Sequence, residues 1–179
     1  MIFARSLVFR ISFRLVATCL PILFAAEVAT AEHAKITLEV KALKSGRSAT
    51  AFVDQTPGDS GKNPRPVLKV QAGETLKIQW SFTNVYPHKT LEDALLYFYV
   101  APIEKVGQKD LPDLSDQKAI VESGFEMDLK PNRKAGQRQT LRIDAPGVYL
   151  VRIESRRTQS DHEHFAAIDL VVEPAPKGD

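Results

Sequence analysis

A single cysteine, Cys19, is all that the 179 residues carry, and it sits in an apolar stretch near the amino terminus. No internal disulfide can form, so a packed core has to hold the chain together. An excess of either charge is missing too: 24 Lys and Arg stand against 22 Asp and Glu. So balanced a surface lacks the basic field that phosphate backbones require, which excludes nucleic acid as a partner. No G-x-S-x-G elbow supplies a nucleophile, and Gly58 and Gly61 lie among prolines with no helix to follow, so no phosphate-binding loop is present. His162 beside Asp161 or Glu163 is a weak acid–base pair, because neighbours on a strand point to opposite faces. The expectation is a protein that is not an enzyme.

Long hydrophobic runs are absent as well, and the one near the start is too short for a stable membrane anchor. Arg5, Arg10 and Arg14 precede the apolar stretch Leu15 to Ala26, and Ala29-Thr30-Ala31 offers a small-x-small cleavage site. Residues 1–31 therefore read as a cleaved signal peptide, with Glu32 as the new amino terminus. Cleavage removes three of the 24 basic and one of the 22 acidic residues, leaving 21 of each. It also removes Cys19. A neutral, cysteine-free exported chain fits a bacterial envelope, periplasmic or extracellular, better than a disulfide-bonded extracellular module. Neutrality gives little protection against self-association, so the sheet edges are expected to be shielded by Lys, Pro or long loops.

What the chain has in abundance is short alternating runs. In Lys35 to Lys41, Ile36, Leu38 and Val40 share one face; in Glu74 to Phe82, Leu76, Ile78, Trp80 and Phe82 do the same. Leu95 to Val100 is apolar at nearly every position, as a strand covered on both sides would be. Further strands are expected at Ala49 to Val53, Val67 to Val70, Phe125 to Leu129, Gln139 to Ile143, Val148 to Glu154 and Phe165 to Glu173. This describes an all-β, Greek-key sandwich of eight or nine strands over residues 32–173. Gln55 to Pro66 reads as a loop, Gln108 to Ser123 has room for a short helix after Pro112, and 174–179 forms a frayed tail.

The turn at Pro146 and Gly147 feeds a strand with Tyr149, Val151 and Ile153 on one face; a tyrosine placed there packs its ring and bonds nearby backbone through its hydroxyl. Asp144, Gly147 and Tyr149 resemble the tyrosine corner of immunoglobulin-like sandwiches. Pro146, Gly147 and Tyr149, with Asn84 and His88 after an earlier strand, resemble the cupredoxins. That likeness implies a ligand loop before the last strand, but the cysteine ligand of blue copper is absent. Gly147, Tyr149, Val151 and Arg152, followed by Ser160, Asp161 and His162, are similar to the periplasmic copper-resistance carriers. That resemblance implies a second histidine at the mature amino terminus, where His33 would stand next to Glu32. The spacing from Tyr149 to Asp161 is longer than in those carriers.

In a Greek-key sandwich the loop leaving the Trp80 strand and the loop leaving the Tyr149 strand open at one end. His88 would then approach His162 and His164, with Asp161 or Glu163 completing or orienting the set, and copper or zinc as the ion. The competing reading makes residues 160–165 a solvated hairpin tip and His88 an ordinary loop residue. A different function attaches to Tyr86, Tyr97 and Tyr99. Alternation cannot turn all these rings and Phe98 to one face, so some would meet a protein or glycan partner unless packed in the core. The sequence thus supports an exported, non-catalytic binding module, with periplasmic metal binding as the alternative.

Overall fold

The computed structural model describes residues 33–55, 64–115, 119–156 and 163–176. Residues 1–32 lie outside them, as do most of the Gln55 to Pro66 loop, Asp161, His162 and the end of the tail. Among the described residues the fold is all-β, without a helix. The strands are β1 (Ala34–Ala42), β2 (Ser48–Phe52), β3 (Val67–Gln71), β4 (Thr75–Asn84), β5 (Leu91–Ile103), β6 (Val121–Leu129), β7 (Lys134–Arg142), β8 (Gly147–Arg156) and β9 (Phe165–Glu173). They form a four-stranded sheet in the order β2-β1-β4-β7 and a five-stranded sheet in the order β3-β9-β8-β5-β6. Every pairing is antiparallel except that of β3 with β9.

Period-two burial explains why these segments are strands. Ile36, Leu38 and Val40 of β1 and Leu76, Ile78, Trp80 and Phe82 of β4 meet Leu96, Phe98 and Val100 of β5, Tyr149, Val151 and Ile153 of β8, and Ile168 and Leu170 of β9 in one core. β5 is covered on both faces, as its sequence implies. Its outer side chains, with Leu150 and Ala167, form a second small cluster against which Leu114 and Phe165 pack. Leu91 and Ala94 both reach the inner core because a bulge carrying Asp93 at φ 50° adds one residue between them. Tyr149 closes its corner by donating its hydroxyl to Ala145 O at 2.8 Å.

β6 and β7 start earlier than the sequence suggests. Gly124 and Gly136 read as breakers, and the inward-facing Gln137 and Gln139 hide the alternation of β7. Yet Gly136 is needed where it is: a Cβ there would lie 2.6 Å from Trp80 O, so only glycine lets β7 pack this closely on β4. The expected helix after Pro112 is not formed by residues 112–115, which make a turn at the end, and residues 116–118 lie outside the described set.

Asn84, fully buried at the end of β4, ties three segments together. Its Nδ2 donates to Lys89 O and Leu129 O, both at 2.8 Å, and its Oδ1 accepts Tyr86 N at 3.0 Å. Its own backbone pairs with Arg133 O and Asn132 N. A buried carbonyl or amide left without a partner costs about 1–3 kcal/mol, and Asn84→Ala strands three of them. This substitution is expected to lower the unfolding free energy by about 3 kcal/mol, read from urea denaturation. Asn84→Asp, which keeps the acceptor and loses both donated bonds, is expected to rescue little of it.

Candidate functional site at one pole of the sandwich

Antiparallel pairing of β1 with β4 brings the start of β1 to the end of β4, and Val85 N donates to His33 O at 3.0 Å. The exit of β8 and the entry of β9 reach the same place. Ser155 N donates to His164 O at 2.8 Å, and His164 N donates to Ser155 Oγ at 3.1 Å. The end of the Trp80 strand and the end of the Tyr149 strand thus share one pole, and two histidines meet there. The rings of His33 and His164 lie 4.4 Å apart between centres, tilted by 51°, and both side chains are buried. Tyr86 also stacks on His33, at 5.7 Å, with Lys89 over its ring.

Asp54, just past β2, holds His164 from behind. Its Oδ2 lies 2.6 Å from His164 Nδ1, and its Oδ1 accepts Phe165 N at 3.1 Å. The backbone closes the pairing, since Asp54 N donates to Phe165 O at 2.7 Å. Asp54 adopts φ 56°, a left-handed conformation that Asp and Asn tolerate better than other non-glycine residues. An ionised carboxylate only accepts hydrogen bonds, so Nδ1 of a neutral His164 carries the proton and Nε2 keeps its lone pair. This is the carboxylate–histidine arrangement that orients metal-ligating imidazoles.

Of the residues named from sequence, the structure brings together His33, His164 and Tyr86. The hairpin-tip reading fails for His164, which is 1% exposed, whereas Glu163 is exposed. His88 sits exposed two residues beyond Tyr86. Asp161 and His162 lie outside the described residues. Among the described residues no group of three or more His, Cys, Asp or Glu side chains is arranged as a metal cage.

Tyr99 does not contribute to an aromatic surface: it is 2% exposed within the outer cluster, because β5 is roofed on that side as well. Tyr97 is half-buried. Its hydroxyl donates to Glu122 and its ring lies 4.2 Å beneath the Arg156 guanidinium. Burial, followed by Glu122, pushes the Tyr97 phenol up to about 12; burial does the same for Tyr99. Both phenols therefore stay neutral across physiological pH. Buried Glu154 clamps Arg152 and Arg156, each at 2.6 Å, and Arg152 in turn covers the Phe165 ring at 3.9 Å.

Sequence reasoning missed Asp54, because its partner lies 110 residues away and an aspartate after a strand reads as turn chemistry. It also missed the buried ion pair of Arg65 with Asp169 at 2.8 Å, which together with Gly107 N on Asp169 pins the 104–110 loop across β9. The only forewarning is a lone aspartate inside an otherwise apolar strand.

No known protein family matches the chain, and no curated protein does either. What the pole does has to be argued from its own chemistry.

Asp54→Ala removes the bonds to His164 and Phe165 and places alanine in a left-handed conformation; the expected cost is about 2–3 kcal/mol by thermal or urea unfolding. Asp54→Asn keeps the backbone preference and an acceptor, and is expected to cost about 1 kcal/mol. Equal losses for the two would show that the side chain does not hold His164.

Proposed function

We propose that the protein is an exported, non-catalytic binding module of the bacterial cell envelope, and that its binding end is the pole where His33 and His164 meet. The ligand is a transition-metal ion, copper or zinc. The observation that carries this reading is the 4.4 Å separation of the two rings, with Asp54 2.6 Å behind His164. An ion held about 2 Å from one nitrogen of each ring places the ring centres on the order of 4.5–5 Å apart, so a small adjustment suffices. Neutral imidazole suits Cu(II) and Zn(II) equally, and no thiolate is present to select a blue-copper centre.

Strand order supports the finer architecture of this reading. The chain passes between the sheets from β2 to β3, β3 to β4, β4 to β5, β6 to β7 and β7 to β8, and β3 joins the second sheet parallel to the last strand. These crossings suit a Greek-key sandwich of the immunoglobulin-like or cupredoxin-like kind. A signal-cleaved chain starting at Glu32 would put a free α-amine one residue from His33, a further nitrogen for Cu(II). The second reading, a protein or glycan partner, is favoured by Tyr86, which lies half-buried at the same pole with Lys89 over its ring.

Calorimetric titration of Cu(II) and Zn(II) into the chain beginning at Glu32 tests the proposal. One-to-one binding in the micromolar range or tighter is expected, falling at least tenfold in His33→Gln and in His164→Gln. A His162→Ala control separates the buried pair from any surface His-x-His. Binding that survives both glutamine variants, or none beyond that of a surface histidine, overturns the metal assignment.

A further inference from the structure

The two long sides of the sandwich are closed differently. On one side β2 lies against β3 and β9, so the edges of the two sheets cover each other. On the other side stand β6 and β7, the terminal strands of the five- and four-stranded sheets, each nine residues long and, among the described residues, paired along one edge only. Apart from buried Leu129, their core-facing residues are only partly buried. Val121, Phe125 and Met127 of β6 face the seam with Ala135 and Leu141 of β7, and Gln137 and Gln139 bring amides into it. Neither strand contains proline.

The outward faces of these edges carry opposite charge. On β6 the exposed positions are Glu122, Gly124, Glu126 and Asp128; on β7 they are Lys134, Gly136, Arg138, Thr140 and Arg142. Like charges directly opposite destabilise a strand pair and unlike charges stabilise it. Each edge therefore repels a copy of itself and attracts a copy of the other. Several of these charges are already held in place. Glu122 accepts Tyr97 OH, Asp128 accepts Asp93 N, Arg138 donates to Gln79 Oε1 and Arg142 pairs with Asp144.

We infer that this side is a homodimer interface, in which β6 of one copy pairs with β7 of the other and the reverse. The geometry closes. β6 and β7 are successive strands joined by a tight turn, with Arg133 N donating to Lys130 O, and they run in opposite directions. A two-fold axis parallel to the strands, passing through the open side, lays the five-stranded sheet of one copy edge to edge with the four-stranded sheet of the other. Strand directions are unchanged by that rotation, so both new ladders are antiparallel and identical, as a closed two-fold requires.

The register follows from the same turn. Asn84 binds Leu129 O with its side chain and Arg133 O with its backbone, which fixes the end of β6 and the start of β7 at one height. The two-fold preserves that height. Two near-level registers keep outward residues facing outward, and the one that forms more acid–base pairs sets Glu122 opposite Arg142 and Glu126 opposite Arg138, with Asp128 opposite Gly136 and diagonal to Lys134. In this dimer, charge selects one partner edge where the sequence led us to expect shielding by lysine, proline or loops.

Sedimentation equilibrium of the chain starting at Glu32 tests the inference. A dimer is expected at about 100 µM protein, with its Kd rising about tenfold between low salt and half-molar salt. Glu122→Arg/Glu126→Arg and Arg138→Glu/Arg142→Glu place like charges in both ladders; each double variant alone is expected to be monomeric, its Kd raised about 100-fold. Mixed in equal amounts they are expected to form a one-to-one heterodimer, and the chain carrying all four changes to dimerise with itself again. Circular dichroism checks that each variant keeps its sheet, and the mixing arm needs only folded monomers. A wild-type monomer at this concentration, a ladder of higher oligomers, or no recovery on mixing overturns the proposal.

Discussion

Much of this structure depends on one buried amide. A strand that crosses from one sheet to the other must leave its layer abruptly, and the backbone groups freed at that point have no ladder to join. At the end of β4 the side chain of Asn84 replaces the ladder, satisfying Tyr86 N, Lys89 O and Leu129 O while the backbone of the same residue engages the turn after β6. Asparagine suits the position because it offers two donors and an acceptor in one plane. Tyr86, stacked on His33, and the entry to β7 both take their positions from it.

The histidine pair is the second consequence of this crossing. β1 begins where β4 ends, and β9 begins where β8 ends, so His33 and His164 reach the same pole although 131 positions separate them in sequence. Asp54 reaches it from a third strand, through a backbone pair with Phe165 as well as through its side chain. One ring is oriented by the Asp54 carboxylate and the other lies stacked on Tyr86, so both are fixed in place before any ligand arrives.

How much of this could be read from the sequence divides along a physical line. Segments buried on one face announce themselves by period two: Ile36, Leu38 and Val40 in β1, and Leu76 to Phe82 in β4, fall where alternation puts them, and Trp80 and Tyr149 both point inward. β5 is equally legible, because a strand roofed on both sides has to be apolar throughout. Legibility fails where the side chains on the inner face are polar. Gln137 and Gln139 blur β7, and Gly124 and Gly136 imitate turns although Gly136 answers a close approach to Trp80 O. At the pole, the sequence offered His33 and His164 as candidates, but not the residue that orients His164. Asp54 and Asp169 are each joined to their partners by contacts that only the folded chain creates.

The weakly legible edge strands are weak for a reason that bears on assembly. A strand that only has to cover its own core needs apolar residues inward and is indifferent to the sign of charge outward. β6 and β7 reverse this: their inward faces are mixed, while their outward faces are sorted by sign, acidic on one and basic on the other. Sorting of that kind adds little to a monomer, because the two strands lie in different layers and exposed charges at such a distance are screened. Its effect appears when the edges are brought into one plane, where Glu122 and Glu126 each stand opposite an arginine within a ladder. Asn84 links this edge to the histidine pole, since the carbonyl it holds at the end of β6 and the amide it holds at Tyr86 share one side chain. Loss of the Asn84 side chain therefore removes hydrogen bonds at the pole and at the end of β6 together.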